Sequence, residues 1–252
     1  MDNNRNRICC LSGNALKIIA AVSMFIDHLG VIFFPNVKIL RIIGRIAFPI
    51  FAFMIAEGCR YTKNKLRYLL TVMTMGIAYM VAFYLYSGTV YMSIFITFTL
   101  SIMMIYALQA FKNACIDKSA SLARRIACGV AFFASLAFSY LLSEIFTLDY
   151  GFVGALTPLL ASAVHKPDGN SNGIFNRIDR IEFSVLGVAV GIIGLYAVYG
   201  NIRIYALLSL PLLLLYSGRR GKHKMKYFFY IFYPAHMLVL EGAHMLIKVL
   251  KG

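Results

Sequence analysis

A chain of 252 residues that is 60% hydrophobic and only 14% charged, with a mean hydropathy of +0.75, lies far from the composition of a soluble domain, where about a quarter of the residues are charged. Its formal charge of +15 does not mark a nucleic-acid binder, because Lys and Arg gathered in short segments between apolar runs are what orientation in a bilayer requires. The sequence therefore predicts an all-α, polytopic integral membrane helix bundle, organised as a single domain over residues 1–252.

A helix needs about 20 apolar residues to cross the hydrocarbon layer. On that measure nine transmembrane spans fall near 14–34, 38–58, 67–86, 90–110, 125–145, 151–165, 183–200, 202–217 and 227–248, the sixth and eighth being short. Arg5 and Arg7 precede the first span and no small-residue cleavage pattern ends it, so it is expected to stay as an anchor. With the amino terminus cytoplasmic, the inner segments hold eighteen Lys and Arg and the outer segments four, a strong positive-inside bias. The outer connections are tight turns, at Pro35-Asn36, Ser87-Gly88-Thr89, Leu148-Asp149-Tyr150 and Gly200-Asn201. Asp149 is expected to cap or terminate a helix there. The longest connection, 165–180, carries KPDGNSNG and is expected on the inner side. Gly187, Gly191 and Gly194 recur at a spacing that lets helices approach closely. The cysteines, Cys9, Cys10, Cys59, Cys115 and Cys128, fall on the inner side or within spans, where thiols stay reduced, and no disulfide is expected.

The stretch Leu16 to Gly58 carries Asp27, His28, Arg41, Arg45 and Glu57 inside two apolar runs. A charge at mid-bilayer costs about 2.5–3.5 kcal/mol even on the lenient scale, so such groups require partners, water or a function. At about 1.5 Å of rise per residue, His28 lies about 21 Å in from Asn14, while Arg41 and Arg45 descend about 5 and 10 Å from the opposite face. The second run thus brings its arginines to the level of Asp27. Asp27 is expected to pair with Arg45, leaving His28, about 100° further round, to face a cavity. In the last span His236 and His244 lie two turns apart on one face, about 13 and 25 Å from its inner end. His28, His236 and His244 can in principle bind a metal, but no two-ligand signature accompanies them and none is expected. The blander alternatives are helix-to-helix hydrogen bonding for each His, a snorkelling role for Arg41, and a plain orientation signal in the run RRGKHKMK.

The blocks LKIIAAVSMFIDHLG, LRIIGRIAFPIFAFMIAEGCRYTKN, DYGFVGALTPLL, YSGRRG and KYFFYIFYPAHMLVL resemble, in this order, the TraX family of bacterial membrane proteins. That family is linked to amino-terminal acetylation of pilin. The resemblance implies an integral membrane acyltransferase of the bacterial cytoplasmic membrane, with acetyl-CoA as donor and a hydroxyl or amine of a protein, glycan or lipid as acceptor. It places Asp27, His28, Arg45 and His236 in the catalytic set. Arg41, Glu57, Thr62 and Asn64 match the family's blocks as well and are expected at the coenzyme A site. Arg60, Lys63, Arg67, Arg219, Arg220 and Lys222 supply cations for the phosphates of coenzyme A, which Arg clamps in a fork and Lys meets as a point charge.

Acyl transfer from a thioester needs a base for the acceptor's proton and donors for the developing oxyanion. His28 suits the first role, as base or as a nucleophile that takes the acetyl group itself. Two rivals use the same residues: a proton-coupled transporter with Asp27, His28 and Arg45 as a relay, and a nonenzymatic assembly factor whose charges serve packing alone.

Overall fold

The computed structural model describes residues 10–167, 177–221 and 226–251, with the side chains of 201, 226–230 and 251 excepted. Arg5, Arg7, Cys9, Lys222 and most of the KPDGNSNG segment lie outside the described residues.

The helices are α1 (Gly13–Ile32), α2 (Lys38–Gly44), α3 (Ala47–Tyr61), α4 (Lys65–Ser87), α5 (Ile94–Ile116), α6 (Leu122–Ile145), α7 (Gly151–Ser162) and α8 (Ile181–Tyr199). A 3-10 segment, Asn201–Ser209, then leads into α9 (Leu210–Leu214), and α10 (Lys226–Lys251) ends the chain. Local chemistry sets several boundaries. Ser12 and Ser121 accept from the amides of Ala15 and Arg124 at 3.2 Å each, and Asn64 accepts from Arg67 at 2.9 Å, satisfying first-turn donors of α1, α6 and α4. Pro49 separates α2 from α3: its ring has no N–H to give the Arg45 carbonyl and crowds it, so the chain unwinds at Arg45 and Ile46 before turning helical again. Gly88, at φ 70°, ends α4 in the left-handed conformation that suits glycine.

Each of the nine expected segments coincides with helical structure, but only six helices are long and apolar enough to cross a membrane among the described residues: α1, α2 with α3 as Lys38–Tyr61, α4, α5, α6 and α8. The sixth expected span is the 12-residue α7, and the eighth is a 3-10 segment joined to a 5-residue helix. Both are too short to satisfy the length rule alone.

Two compact units divide the chain. The first comprises Met1–Met54 with Tyr196–Gly252. Its α1 packs on α2 and α10. The first two amides of α1 donate to the carbonyls of Arg219 and Arg220 at 2.8 and 3.0 Å, so the YSGRRG strap is tied to the start of α1. Leu16, Ala20, Ile50, Phe53 and Leu213 are sealed from solvent, and Phe53 meets Tyr216 edge-on at 5.5 Å. Where α2 ends, Gly44 lets the backbone lie against Asp27: an added Cβ would fall 2.2 Å from the Asp27 Cβ.

The second unit is Ile55–Leu195. Here α5 packs against α4, α6 and α7, burying Ile102, Met104 and Ile105. Gly187 and Gly191 bring α8 close to α7, where added Cβ atoms would meet the Leu160 carbonyl at 2.4 Å and the Thr157 hydroxyl at 2.5 Å. The turn before α7 corrects one expectation. Asp149 does not cap a helix; Tyr150, at φ 62°, occupies the N-cap position of α7. Asp149 instead stitches the turn to the start of α5, its amide donating to the Met92 carbonyl at 2.9 Å and its carbonyl accepting from Thr97 at 2.7 Å. Those bonds use the backbone groups that a capping geometry would have to reorient.

Candidate functional site

In the first unit Asp27 is buried on α1, and both arginines of the second run reach it. One Arg45 nitrogen, Nη2, donates to both carboxylate oxygens, at 2.6 Å to Oδ2 and 2.9 Å to Oδ1, and Arg41 adds a contact of 3.2 Å to Oδ2. The spacing of four puts Arg41 and Arg45 on the same side, although the helix opens between Gly44 and Ala47. An isolated carboxylate at this depth would be expensive; two guanidinium partners make it tolerable.

His28, the next residue, turns instead to α10. Its Nδ1 lies 3.0 Å from Nε2 of the buried His236, with ring centroids 5.0 Å apart. The other nitrogen of His236, Nδ1, is 2.8 Å from the Phe232 carbonyl. A carbonyl only accepts, so His236 carries its proton on Nδ1 and, in the neutral ring, offers a lone pair at Nε2. His28 must then donate from its own Nδ1. The tautomers follow from these partners, and they leave the lone pair of His28 on Nε2. His28 also hydrogen-bonds the Met24 carbonyl one turn back, and Nε2 is the nitrogen that His236 does not engage. His28 is half-buried. Phe232 stacks on His236 at 5.0 Å and Tyr233 meets it edge-on at 5.7 Å, fixing the plane of the ring. His244 stands apart, edge-on to Phe33 at 5.7 Å. No group of three metal-ligating side chains forms among the described residues.

A second polar cluster lies in the other unit. Arg60 donates to Asp179 at 3.0 Å and lies 3.8 Å from Glu57, while Nε2 of His165 is 3.6 Å from Glu57 and 3.3 Å from the Ser184 hydroxyl. Lys112 donates to the carbonyls of Ala163 and His165, closing the end of α7. Burial, with Arg60 and Lys112 nearby, pushes the imidazole of His165, in the turn beyond α7, down to about 3. A neutral His165 facing the Glu57 carboxylate carries its proton on Nε2, so it cannot take one from Ser184. The cluster has the members of a hydrolytic triad without the geometry of one.

The model of the TraX family, described as TraX protein, matches residues 12–244. The chain belongs to the TraX family. Among similar proteins, the probable fimbrial assembly protein FimC, serogroup H1, of Dichelobacter nodosus is 24% identical over 92% of this chain and 96% of its own length. An uncharacterized protein of Rickettsia prowazekii (strain Madrid E) is 46% identical over 52 residues, a match that spans about a fifth (21%) of that relative. No solved structure matches the chain.

The residues expected from the sequence thus separate. Asp27, His28, Arg41, Arg45 and His236 come together in one unit. Glu57 and Arg60 belong to the buried cluster of the other, where Arg60 is engaged by Asp179. Thr62 is half-buried, Asn64 caps α4, and Lys63 and Arg67 are exposed. Arg219 and Arg220 are exposed beside the start of α1, and Lys222 lies outside the described residues. Sequence reasoning missed Lys112, His165, Asp179 and Ser184. A His and a Lys at the ends of apolar runs were the available signal, and both read equally well as orientation charges.

Proposed function

We propose that this TraX-family protein is an integral membrane acyltransferase that moves an acetyl group from acetyl-CoA to a hydroxyl or uncharged amine, with His28 as the base. The observation that carries the reading is the directed chain from the Phe232 carbonyl through His236 to His28, which leaves the lone pair of a half-buried His28 on Nε2. As the acceptor's oxygen or nitrogen attacks the thioester carbonyl, its proton passes to that Nε2. The carbon–sulfur bond then breaks, and the departing CoA thiolate takes the proton. During the step Nδ1–H of His28 still donates to His236, so the imidazolium charge is shared across two rings. Asp27, held by Arg41 and Arg45, keeps their charges in place near His28 without itself acting on the ring.

For the donor's phosphates we infer a role for Arg219 and Arg220, whose carbonyls bind the opening amides of α1. Guanidinium groups grip phosphate in a fork. Along α1 this end lies about 21 Å from His28, a distance of the order of a pantetheine arm. The amino terminus is taken as cytoplasmic and the protein as resident in the bacterial cytoplasmic membrane. The acceptor is read as a pilus subunit, on the strength of the family and of the fimbrial assembly relative. The test is incubation of the purified chain with labelled acetyl-CoA and membrane proteins, followed by mass spectrometry. A gain of one acetyl group on a pilin-type protein, absent without the chain, is expected. Flux of protons through liposomes with no acetyl transfer would replace this reading with the transporter.

A further inference from the structure

The second unit contains a groove of about 650 Å³ on the outward side of α5 and α6. Phe111, Gly129, Phe133, Ala134 and Ala137 line it, with Arg125 at its head, the end nearest the start of α6. An added Cβ at Gly129 would come within 3.2 Å of Phe111, so the hollow depends on glycine there. Only 6% of the α6 span is buried, so this face is turned to the bilayer. From Arg125 to Ala137 the groove follows the helix for about 18 Å, more than half of the hydrocarbon layer.

Four features make its head electropositive. Arg125 donates to the carbonyls of Ala114 and Asp117, which fixes its guanidinium at the groove mouth. Arg124 is exposed beside it, 3.5 Å from Asp117. Lys118 lies in the same turn, and the amino-terminal end of α6 contributes its helix dipole. Asp117 is the sole acid in the segment 112–125, and it is already bound by Ser119.

We propose that this groove is a specific site for an anionic glycerophospholipid, the phosphate at Arg124, Arg125 and the start of α6, and one acyl chain lying over Gly129 as far as Ala137. The charged head falls at the interface and the apolar trough runs inward, the polarity that a phospholipid itself presents.

The test uses the purified full chain, stripped of lipid in detergent and offered equal amounts of phosphatidylglycerol and phosphatidylcholine with matched chains, with native mass spectrometry as the readout. Phosphatidylglycerol is expected to be retained at least about fivefold more, the preference one cation near a membrane surface supplies. Replacing Arg124→Gln together with Lys118→Gln leaves the Arg125 carbonyl bonds in place and should bring the two lipids close to parity. Ala134→Phe fills the trough from its lipid-facing side and should reduce retention of both. Helix content by circular dichroism confirms that these variants fold. Equal retention of both lipids by the parent chain, an unchanged preference in the double variant, or a dimer that displaces lipid would each overturn the assignment.

Discussion

Each unit holds a buried carboxylate, an arginine bound to it and a buried histidine, yet the two clusters differ in how they use their hydrogen bonds. In the first, Asp27 is taken up by two arginines and His28 by a second histidine, so a lone pair remains on the Nε2 of a half-buried ring. In the second, His165 is only 3% exposed and presents its Nε2 to both Glu57 and Ser184, while Lys112 holds its carbonyl. On the proposed acyltransferase reading, similar residues make a reactive centre in one place and a brace in the other. What separates them in the structure is which partner each imidazole nitrogen faces and how deeply the ring is buried.

The largest expected effect tests that contrast directly. His28→Ala should lower acetyl transfer by about 10²–10⁴-fold, the usual contribution of a general base, whereas Ser184→Ala should leave it within about twofold. His236→Gln should cost less than His28→Ala and should shift the pH profile of kcat, because it removes the acceptor that sets the tautomer of His28. Equal losses in the Ser184 and His28 variants, measured with labelled acetyl-CoA, would erase the distinction between the clusters.

Next in size is stability. Asp27→Asn leaves two guanidinium groups without their counter-charge and should cost about 3–5 kcal/mol in reversible unfolding, as for other broken buried pairs. Asp179→Asn should cost less, about 1.5–3 kcal/mol, because Arg60 is 26% exposed and retains Glu57 nearby. A reversed order would mean that the brace, not the reactive centre, is the more tightly bound network. Gly44→Ala should follow at about 1–3 kcal/mol, since a Cβ there collides with Asp27 and pushes the carboxylate off Arg45.

How far the sequence foretold these features depends on the range over which each is determined. Helix positions were legible because apolar runs of membrane length leave few alternatives, and the Asp27–Arg45 pair because a rise of 1.5 Å per residue puts both at one depth. The opening of the chain at Arg45 and Ile46 follows from Pro49, a local signal that was present but outweighed by the apolar run. His28 and His236 were expected in one site, but the direct hydrogen bond between their rings, across 208 residues, was not legible, because both had an ordinary packing alternative. Glu57 and Arg60 matched a family block and were expected at a cofactor; their actual neighbours, Lys112, His165 and Asp179, come from three other segments and are brought in only by packing.

The smallest effect is the sharpest probe of the brace. The imidazole of His165 has its ordinary value of 6.5 when unfolded and about 3 when buried, so below 6.5 the unfolded chain binds a proton that the folded chain refuses. Its contribution to stability is therefore present in full above 6.5 and is lost as the pH falls from 6.5 towards 3. Between pH 6.5 and 5.5 this one group should remove about 1 kcal/mol. His165→Gln cannot take up that proton, so the variant should lose about 1 kcal/mol less than the parent chain over the same interval when unfolding is followed in detergent. Other titrating groups contribute equally to both proteins and cancel in the difference. A parent and variant with identical slopes would mean that His165 is reached by water and shares more of the character of His28 than its surroundings indicate.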